Sequence, residues 1–162
     1  MYKLAIVTVS DKGARGERVD ASGPAIGEMV KSLGEVVCCL VVPDDLEKIK
    51  EALIQLSDIE KVHLILTTGG TGLSPRDNTP EATMAVIERE VPGLAEVMRM
   101  ESLKKTNRAM LSRAVAGVRR QTLIINLPGS VKAVRECLDA IMPALPHGLD
   151  ILTGADAECG LS

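Results

Sequence analysis

Four short runs of the chain are almost unbroken in aliphatic side chains: Leu4–Val9, Val36–Val42, Val62–Leu66 and Leu123–Leu127. A strand with one wet face alternates apolar and polar residues. A continuous run needs apolar cover on both faces, which is the situation of a strand in a parallel sheet between helical layers. Between and after these runs the apolar residues fall at helical spacing. Ile26, Met29, Val30 and Leu33 recur at i, i+3, i+4, i+7, as do Val134, Cys137, Leu138 and Ile141. In the segment 45–56, Leu46, Ile49, Leu53 and Leu56 share one face. Thr79 as N-cap and Pro80 as first helical residue open another helix, and Pro92-Gly93 opens one more, carrying Leu94, Val97 and Met98. Strand alternating with helix predicts an α/β chain: a single three-layer domain with a mostly parallel, doubly wound sheet flanked by helices. That domain is expected over residues 1–153, with 154–162 as a loose tail. Arg108–Val118 departs from the alternation and reads as a short strand or hairpin.

A core built on these runs is aliphatic, because Tyr2 is the single aromatic residue in a chain without Phe or Trp. The same shortage bears on partners. Single-stranded nucleic acid is gripped by stacking bases on aromatic rings, and a duplex calls for a basic excess, whereas the net charge is −3. No nucleic-acid partner is expected. Leu4–Val9 is too short to span a bilayer and has no small-residue cleavage site behind it, so no membrane partner is expected and the compartment is read as cytoplasmic. Cys38, Cys39, Cys137 and Cys159 form no C-x-x-C pair, and His63 and His147 complete no zinc spacing. The cysteines read as buried free thiols, with Cys38 and Cys39 pointing to opposite faces of a strand.

The residues that follow each aliphatic run are of one kind. Ser10-Asp11 and a loop with Gly13 and Gly16 follow the first, and Pro43-Asp44-Asp45 the second. Thr67-Thr68-Gly69-Gly70-Thr71-Gly72-Leu73-Ser74-Pro75-Arg76-Asp77 follows the third, and Leu127-Pro128-Gly129-Ser130 closes the fourth. In an open parallel sheet, ligands bind outside the carboxyl ends of the strands. The Gly-rich stretch is neither a P-loop, lacking G-K-[ST], nor a dinucleotide fingerprint, since Pro75 stands where the third glycine belongs. Two readings are open for it: a sharp turn using glycine's positive φ, or a cradle whose bare amides approach an anion, with Thr68, Thr71 and Ser74 adding hydroxyls. Asp77 can close an Asx-turn or serve a ligand. Asp44 can cap the helix that follows it, with Glu47 completing a capping box. Ser130 can cap the helix beginning at Val131, and a helix start is itself an anion site. The stretch 99–120 holds seven Lys/Arg against Glu101 alone, a local charge of +6, read either as a solvated face or as steering for an anionic substrate.

No nucleophile with a paired base is visible, and neither histidine lies in a strand-end loop. Acyl-transfer triads and Cys-His chemistry are therefore disfavoured. Carboxylates for Mg2+, backbone amides, hydroxyls and nearby arginines suit phosphoryl or nucleotidyl transfer, which needs mainly positioning and charge neutralisation.

The string from Thr68 to Glu81 resembles the signature of the molybdopterin adenylyltransferase family, which includes bacterial MogA and MoaB proteins and the G domain of gephyrin. Ser10-Asp11, Pro43-Asp44, Pro92-Gly93, Ser112-Arg113-Ala-Val-Ala-Gly117 and Leu127–Ser130 support it, and the likeness runs from about Leu4 to Leu152. The resemblance implies transfer of AMP from Mg-ATP to the terminal phosphate of molybdopterin, with release of pyrophosphate. It implies catalytic roles for Asp77 and Asp44, with Asp77 toward Mg2+. Nucleotide and pterin contacts are implied at Ser10, Asp11, Thr68, Gly69, Gly70, Thr71, Gly72, Ser74, Ser112, Arg113, Leu127, Pro128, Gly129 and Ser130. Self-association to a homotrimer, or a hexamer built from trimers, is implied as well. Two other readings stand beside it: a non-catalytic pterin-binding or oligomerisation module of the same fold, and a generic dinucleotide binder, which the broken fingerprint disfavours.

Overall fold

The computed structural model describes residues 1–155. In chain order the elements are β1 (Tyr2–Val9), α1 (Asp11–Ala14), α2 (Ser22–Met29), β2 (Gly34–Val42), α3 (Leu46–Ile54), β3 (Leu64–Thr68), α4 (Thr79–Val86), β4 (Arg89–Glu90), α5 (Pro92–Leu103), β5 (Ala116–Arg119), β6 (Thr122–Leu127), α6 (Val131–Ile141) and α7 (Leu145–Thr153). A π-helical turn, Gln55–Ile59, extends α3, and a 3-10 turn, Asn107–Leu111, follows α5. The tail expected from residue 154 falls, from 156 on, outside the described residues; Gly154 takes a left-handed φ of 81° and closes α7.

One sheet runs in the order β2-β1-β3-β6-β5-β4. The first four strands are parallel; β5 runs antiparallel to β6, and β4 runs antiparallel to β5, back in the direction of the first four. On one face, Leu4, Ile6, Leu64, Leu66, Ile125 and Leu127 pack against α2, α5, α6 and α7 through Ile26, Met98, Val134, Leu138 and Leu149. On the other, Ala5, Val7, Ile65 and Ile124 meet Ile49 and Leu53 of α3 and Ala82 and Val86 of α4. The doubly covered β1, β3 and β6 and the three layers are as the sequence predicts, whereas β2, at the sheet edge, exposes every second residue (Val37, Cys39, Val41), so its aliphatic run is covered on one face only. Truncating one such buried leucine to alanine removes about 2–5 kcal/mol.

Several boundaries move. β3 starts and ends two residues later than its aliphatic run, so Thr67 and Thr68 are strand residues and buried. The helix read through Leu56 gives way to the π turn at Gln55. Within 108–118 the strand is β5, hairpinned to β6. Cys38 packs toward the core and Cys39 is exposed on the opposite face of the edge strand β2, so the thiols are not all buried; Cys159 lies outside the described residues. Among the described residues no helix is long and apolar enough to cross a membrane.

The register fixes where ligands can go. Val9 pairs with Val42, Thr8 with Thr68, and Thr68 with Leu127, so the carboxyl ends of the four parallel strands stand level. The chain winds one way from β1 to β2 and the other from β3 to β6. The reversal leaves a crevice between β1 and β3, where such sheets bind ligands.

Candidate active site

Two backbone loops meet on this edge and form a ridge. The Thr68 hydroxyl donates to the Pro128 carbonyl (2.6 Å), the Gly69 amide donates to Leu127 (3.2 Å), and a Cβ on Gly129 would stand 3.5 Å from the Gly69 Cα. The Ser22 hydroxyl ties the Gly129 carbonyl to α2 (2.7 Å). On one side of the ridge lies a cavity of about 560 Å³ lined by Ser10, Asp20, Ser22, Thr68, Gly69, Gly70, Gly129 and Ser130. On the other lies a cavity of about 280 Å³ lined by Thr71, Gly72, Ser112, Asn126 and Pro128, with apolar walls from Ala95, Met98 and Leu111 and with Arg99 and Arg108 at hand.

The glycines of the ridge answer the choice between turn and cradle with both. Gly69 (φ 95°) and Gly70 (φ 69°) are left-handed; a Cβ would lie 2.5 Å from the Val9 carbonyl oxygen in the first case and 2.3 Å from the Thr79 hydroxyl in the second. Their first requirement is conformational, though both also line the larger cavity. Gly72 is different. Its φ is ordinary, and the atom a Cβ would meet is Asp77 Oδ2, at 3.0 Å.

The two aspartates singled out by sequence stand behind this ridge. Asp45, not Asp44, caps α3, accepting from the Lys48 amide (3.0 Å). Asp44 is thereby released to a long-range pair: its Oδ2 accepts from the Asp11 amide (2.9 Å) while Asp11 Oδ1 accepts from the Asp44 amide (3.0 Å). Asp44 Oδ1 is 3.2 Å from the place of a Cβ on Gly70. Burial, with the neighbouring charges of Asp11 and Asp77 adding to it, pushes the Asp44 carboxyl above the usual carboxylate range, against the hydrogen bond from the Asp11 amide. Asp11 moves the other way because Arg76 donates to it twice, Nε to Oδ2 (2.9 Å) and an Nη to Oδ1 (2.8 Å). Asp77 Oδ2 accepts from the Ser74 amide (3.1 Å) in a tight loop closure.

Other predicted residues take up stated places. Ser10 caps α1 and Ser130 caps α6, each accepting an amide from its first turn, and each also borders the larger cavity. Thr71 and Ser112 line the smaller one. Four expectations change. Leu127 turns its side chain into the core and offers the ridge only its carbonyl. Ser74 lines neither cavity; it braces Asp77 and accepts from the Arg76 amide (3.5 Å). Arg113 clamps the loop: its amide donates to Thr71 O (2.9 Å), Nε to Gly72 O (2.8 Å) and an Nη to Asp77 O (2.9 Å), and Glu81 pairs with its guanidinium. Thr79 likewise is not the cap of α4 but its first residue, with Asn78 before it, and its buried hydroxyl donates to Gly69 O (3.0 Å).

The basic stretch is mostly paired internally. Arg119 and Arg120 meet Asp58, Lys104 meets Glu101, Lys105 meets Glu136, and Arg99 donates to the carbonyls of Ser112 and Ala114. Sequence reasoning gave no role to Asp20, which accepts from the Thr8 hydroxyl (2.7 Å) and the Gly23 amide (3.0 Å) at the wall of the larger cavity. Its loop carries no periodic or motif signal. Arg76, inside the Gly-rich string, carried one.

Residues 5–147 match the family model described as a probable molybdopterin binding domain. A molybdopterin adenylyltransferase of Helicobacter pylori is 42% identical over 154 residues, 93% of this chain and 88% of that protein. Gephyrin of Dictyostelium discoideum is 42% identical over 160 residues, 92% of this chain but 22% of its own length. Among solved structures, the molybdopterin biosynthesis enzyme MoaB of Thermus thermophilus superposes with a TM-score of 0.90 at 55% identity, covering 95% of this chain and 98% of that one.

Proposed function

Since the chain belongs to the molybdopterin-binding domain family that its residues 5–147 match, we infer that it transfers an adenylyl group to molybdopterin. It is a nucleotidyltransferase of molybdenum-cofactor biosynthesis. The observation that carries the reading onto this site is the ridge with a cavity on each side. A reaction between two substrates needs two adjoining sites, and Asp44 stands behind Gly70 in one while Asp77 stands behind Gly72 in the other.

The donor molecule is ATP. The terminal phosphate of molybdopterin attacks the α-phosphorus; a new P–O bond forms there as the bond to pyrophosphate breaks. The attacking oxygen is already anionic at neutral pH, so no side chain has to remove a proton. His63 precedes β3 at the opposite edge of the sheet and His147 lies within α7. The hydroxyls of Ser10 and Ser130, whose oxygens accept helix amides, keep their protons to donate to phosphate oxygens at the larger cavity. The apolar walls and polar floor of the smaller cavity suit a flat heterocycle.

Mg2+ fits the donor set. Among the described residues no three His, Cys, Asp or Glu form a ready cage, and Mg2+ in such enzymes is held by one or two carboxylates together with substrate phosphates and water. Asp77 and Asp44 are those carboxylates. The ion would neutralise phosphate charge; the chain orients the carboxylates, through Ser74 for Asp77 and Asp11 for Asp44.

The working unit is a homotrimer, or a hexamer built from two trimers, in the cytoplasm. Val97, Met100 and Leu103 of α5 with Met110 and Leu111 leave apolar surface exposed, which closed rotational assembly would cover. The direct test incubates the protein with molybdopterin and Mg-ATP and looks for adenylylated pterin and pyrophosphate. Asp77→Asn is expected to keep the fold and lose at least about a hundredfold in turnover, the scale of one misplaced charge at a transferring phosphate. Pterin binding without any product from wild type would leave the non-catalytic module as the better reading.

A further inference from the structure

We propose that Arg76 is a resident counter-ion of the acidic face of the site, holding the place of the divalent cation until nucleotide arrives and then passing to the nucleotide's phosphates. The proposal rests on the reading of the site as one for a metal-bound nucleotide.

Three observations carry it. The guanidinium grips Asp11 with two bonds of 2.8 and 2.9 Å, and Asp11 is joined to Asp44 by the reciprocal amide bonds, so the cation offsets one of two linked carboxylate charges and leaves the face acidic. Arg76 is also a neighbour of Asp77 in sequence, and its residue sits in the exposed tip of the Gly-rich loop. The pair with Asp11 ties the tip to the start of α1, across 65 positions of sequence. Finally, the ion pair is solvent-accessible, with 60% of the Arg76 side chain exposed. An exposed pair adds little to stability and exchanges partners readily. The same planar fork that fits a carboxylate fits a phosphate equally well.

A purely structural strap and a resident counter-ion differ in what removing the charge does. Without Arg76 the carboxylates lose a competitor for cations, so metal alone binds more tightly. Nucleotide without metal loses a partner, so it binds more weakly. A strap that only shapes the site would, on removal, weaken both.

The experiment measures Mn2+ alone by electron paramagnetic resonance, and ATP in the presence of chelator by calorimetry, on wild type, Arg76→Gln and Arg76→Lys. Arg76→Gln should bind Mn2+ about fivefold more tightly and metal-free ATP about fivefold more weakly. Arg76→Lys, which keeps the charge and loses the fork, should move in the same two directions by a smaller factor, and carries the test if the glutamine variant does not fold. Asp77→Asn serves as the control that the Mn2+ measured is at this site, and should bind it more weakly than wild type. Loss of both affinities together, or no change in either, overturns the proposal and leaves the site reading intact. Wild type that binds no Mn2+ even with ATP present overturns the site reading and the proposal with it.

Discussion

Replacing Gly70 by alanine separates the two demands made on the Gly-rich loop. At φ 69° the left-handed backbone costs an L-residue about 1–2 kcal/mol. The new Cβ also falls 2.3 Å from the hydroxyl of Thr79, a fully buried side chain whose hydrogen bond to Gly69 O must give way. Losing that bond and leaving the carbonyl unsatisfied costs about 1–3 kcal/mol. The sum predicts that Gly70→Ala loses about 2–5 kcal/mol in urea denaturation. Thr79→Ala removes the obstructing atom, so in the double variant the clash is relieved and the backbone cost remains. A double-mutant cycle should then show a coupling of about 1–3 kcal/mol, with the double variant more stable than additivity requires. Gly72→Ala is the contrast: no positive φ, and a contact only with Asp77 Oδ2, so stability should change by less than about 1 kcal/mol while turnover falls with the displaced carboxylate. Additive single variants, or a Gly70→Ala protein as stable as wild type, would refute the assignment of Gly70 to backbone conformation.

Arg113→Gln should lower kcat by about tenfold or more while ATP affinity stays within about threefold, because the side chain holds the Gly72 and Asp77 carbonyls and reaches the reaction through them; a matching loss of ATP affinity would make it a phosphate ligand instead. His63 accepts the Lys3 amide on Nδ1 (3.0 Å), and burial first, then the charges of Lys3 and the N-terminus, lower its pKa. The unfolded chain therefore takes up the proton first, so stability is complete above about pH 6.5 and declines as pH falls below it; denaturation midpoints at about pH 7.5 and 5.5 should differ in wild type and the His63 share of that difference should vanish in His63→Gln. Sedimentation equilibrium at micromolar concentration should give a trimer or hexamer mass, and a monomer mass rejects the assembly.

The strands legible in sequence are those with long aliphatic runs, three of them buried on both faces and β2 on one. Leu4–Val9 and Leu123–Leu127 read as strands because both faces are covered, and one polar residue in each, Thr8 and Asn126, is all that interrupts the aliphatic pattern. β4 has two residues and both are exposed, while β5 has four and ends on Arg119, whose guanidinium is paired with Asp58. Neither is long enough to show a period, so the antiparallel edge was visible only as a break in the alternation. The carboxyl-edge site was legible for a related reason. Polar residues directly after strands have little else to do in a parallel sheet, and the register places four such ends at one level. What spacing could not show is direction: Arg113 lies in a basic stretch and points inward to carbonyls, and Leu127 lies in a binding motif with its side chain in the core.

The two misplaced helix caps have one cause, and it bears on how the site is built. Asp44-Asp45 and Asn78-Thr79 each offer two neighbouring side chains able to start a helix, and local rules do not choose between them. Tertiary contacts choose. The Asp44 carboxylate is taken by the Asp11 amide, which leaves Asp45 to cap α3. The Thr79 hydroxyl is taken by the Gly69 carbonyl; its amide goes to Gly70 O (3.2 Å), and Pro80 behind it has no amide to satisfy. In each pair one residue lies at the helix boundary while its neighbour is bound up with the ridge. A helix start placed immediately behind a ligand loop thus supplies a residue that the loop can recruit. Asp44, released from capping, stands behind Gly70 with Oδ1 toward the loop, the position a carboxylate needs if it is to meet a cation carried in on phosphate.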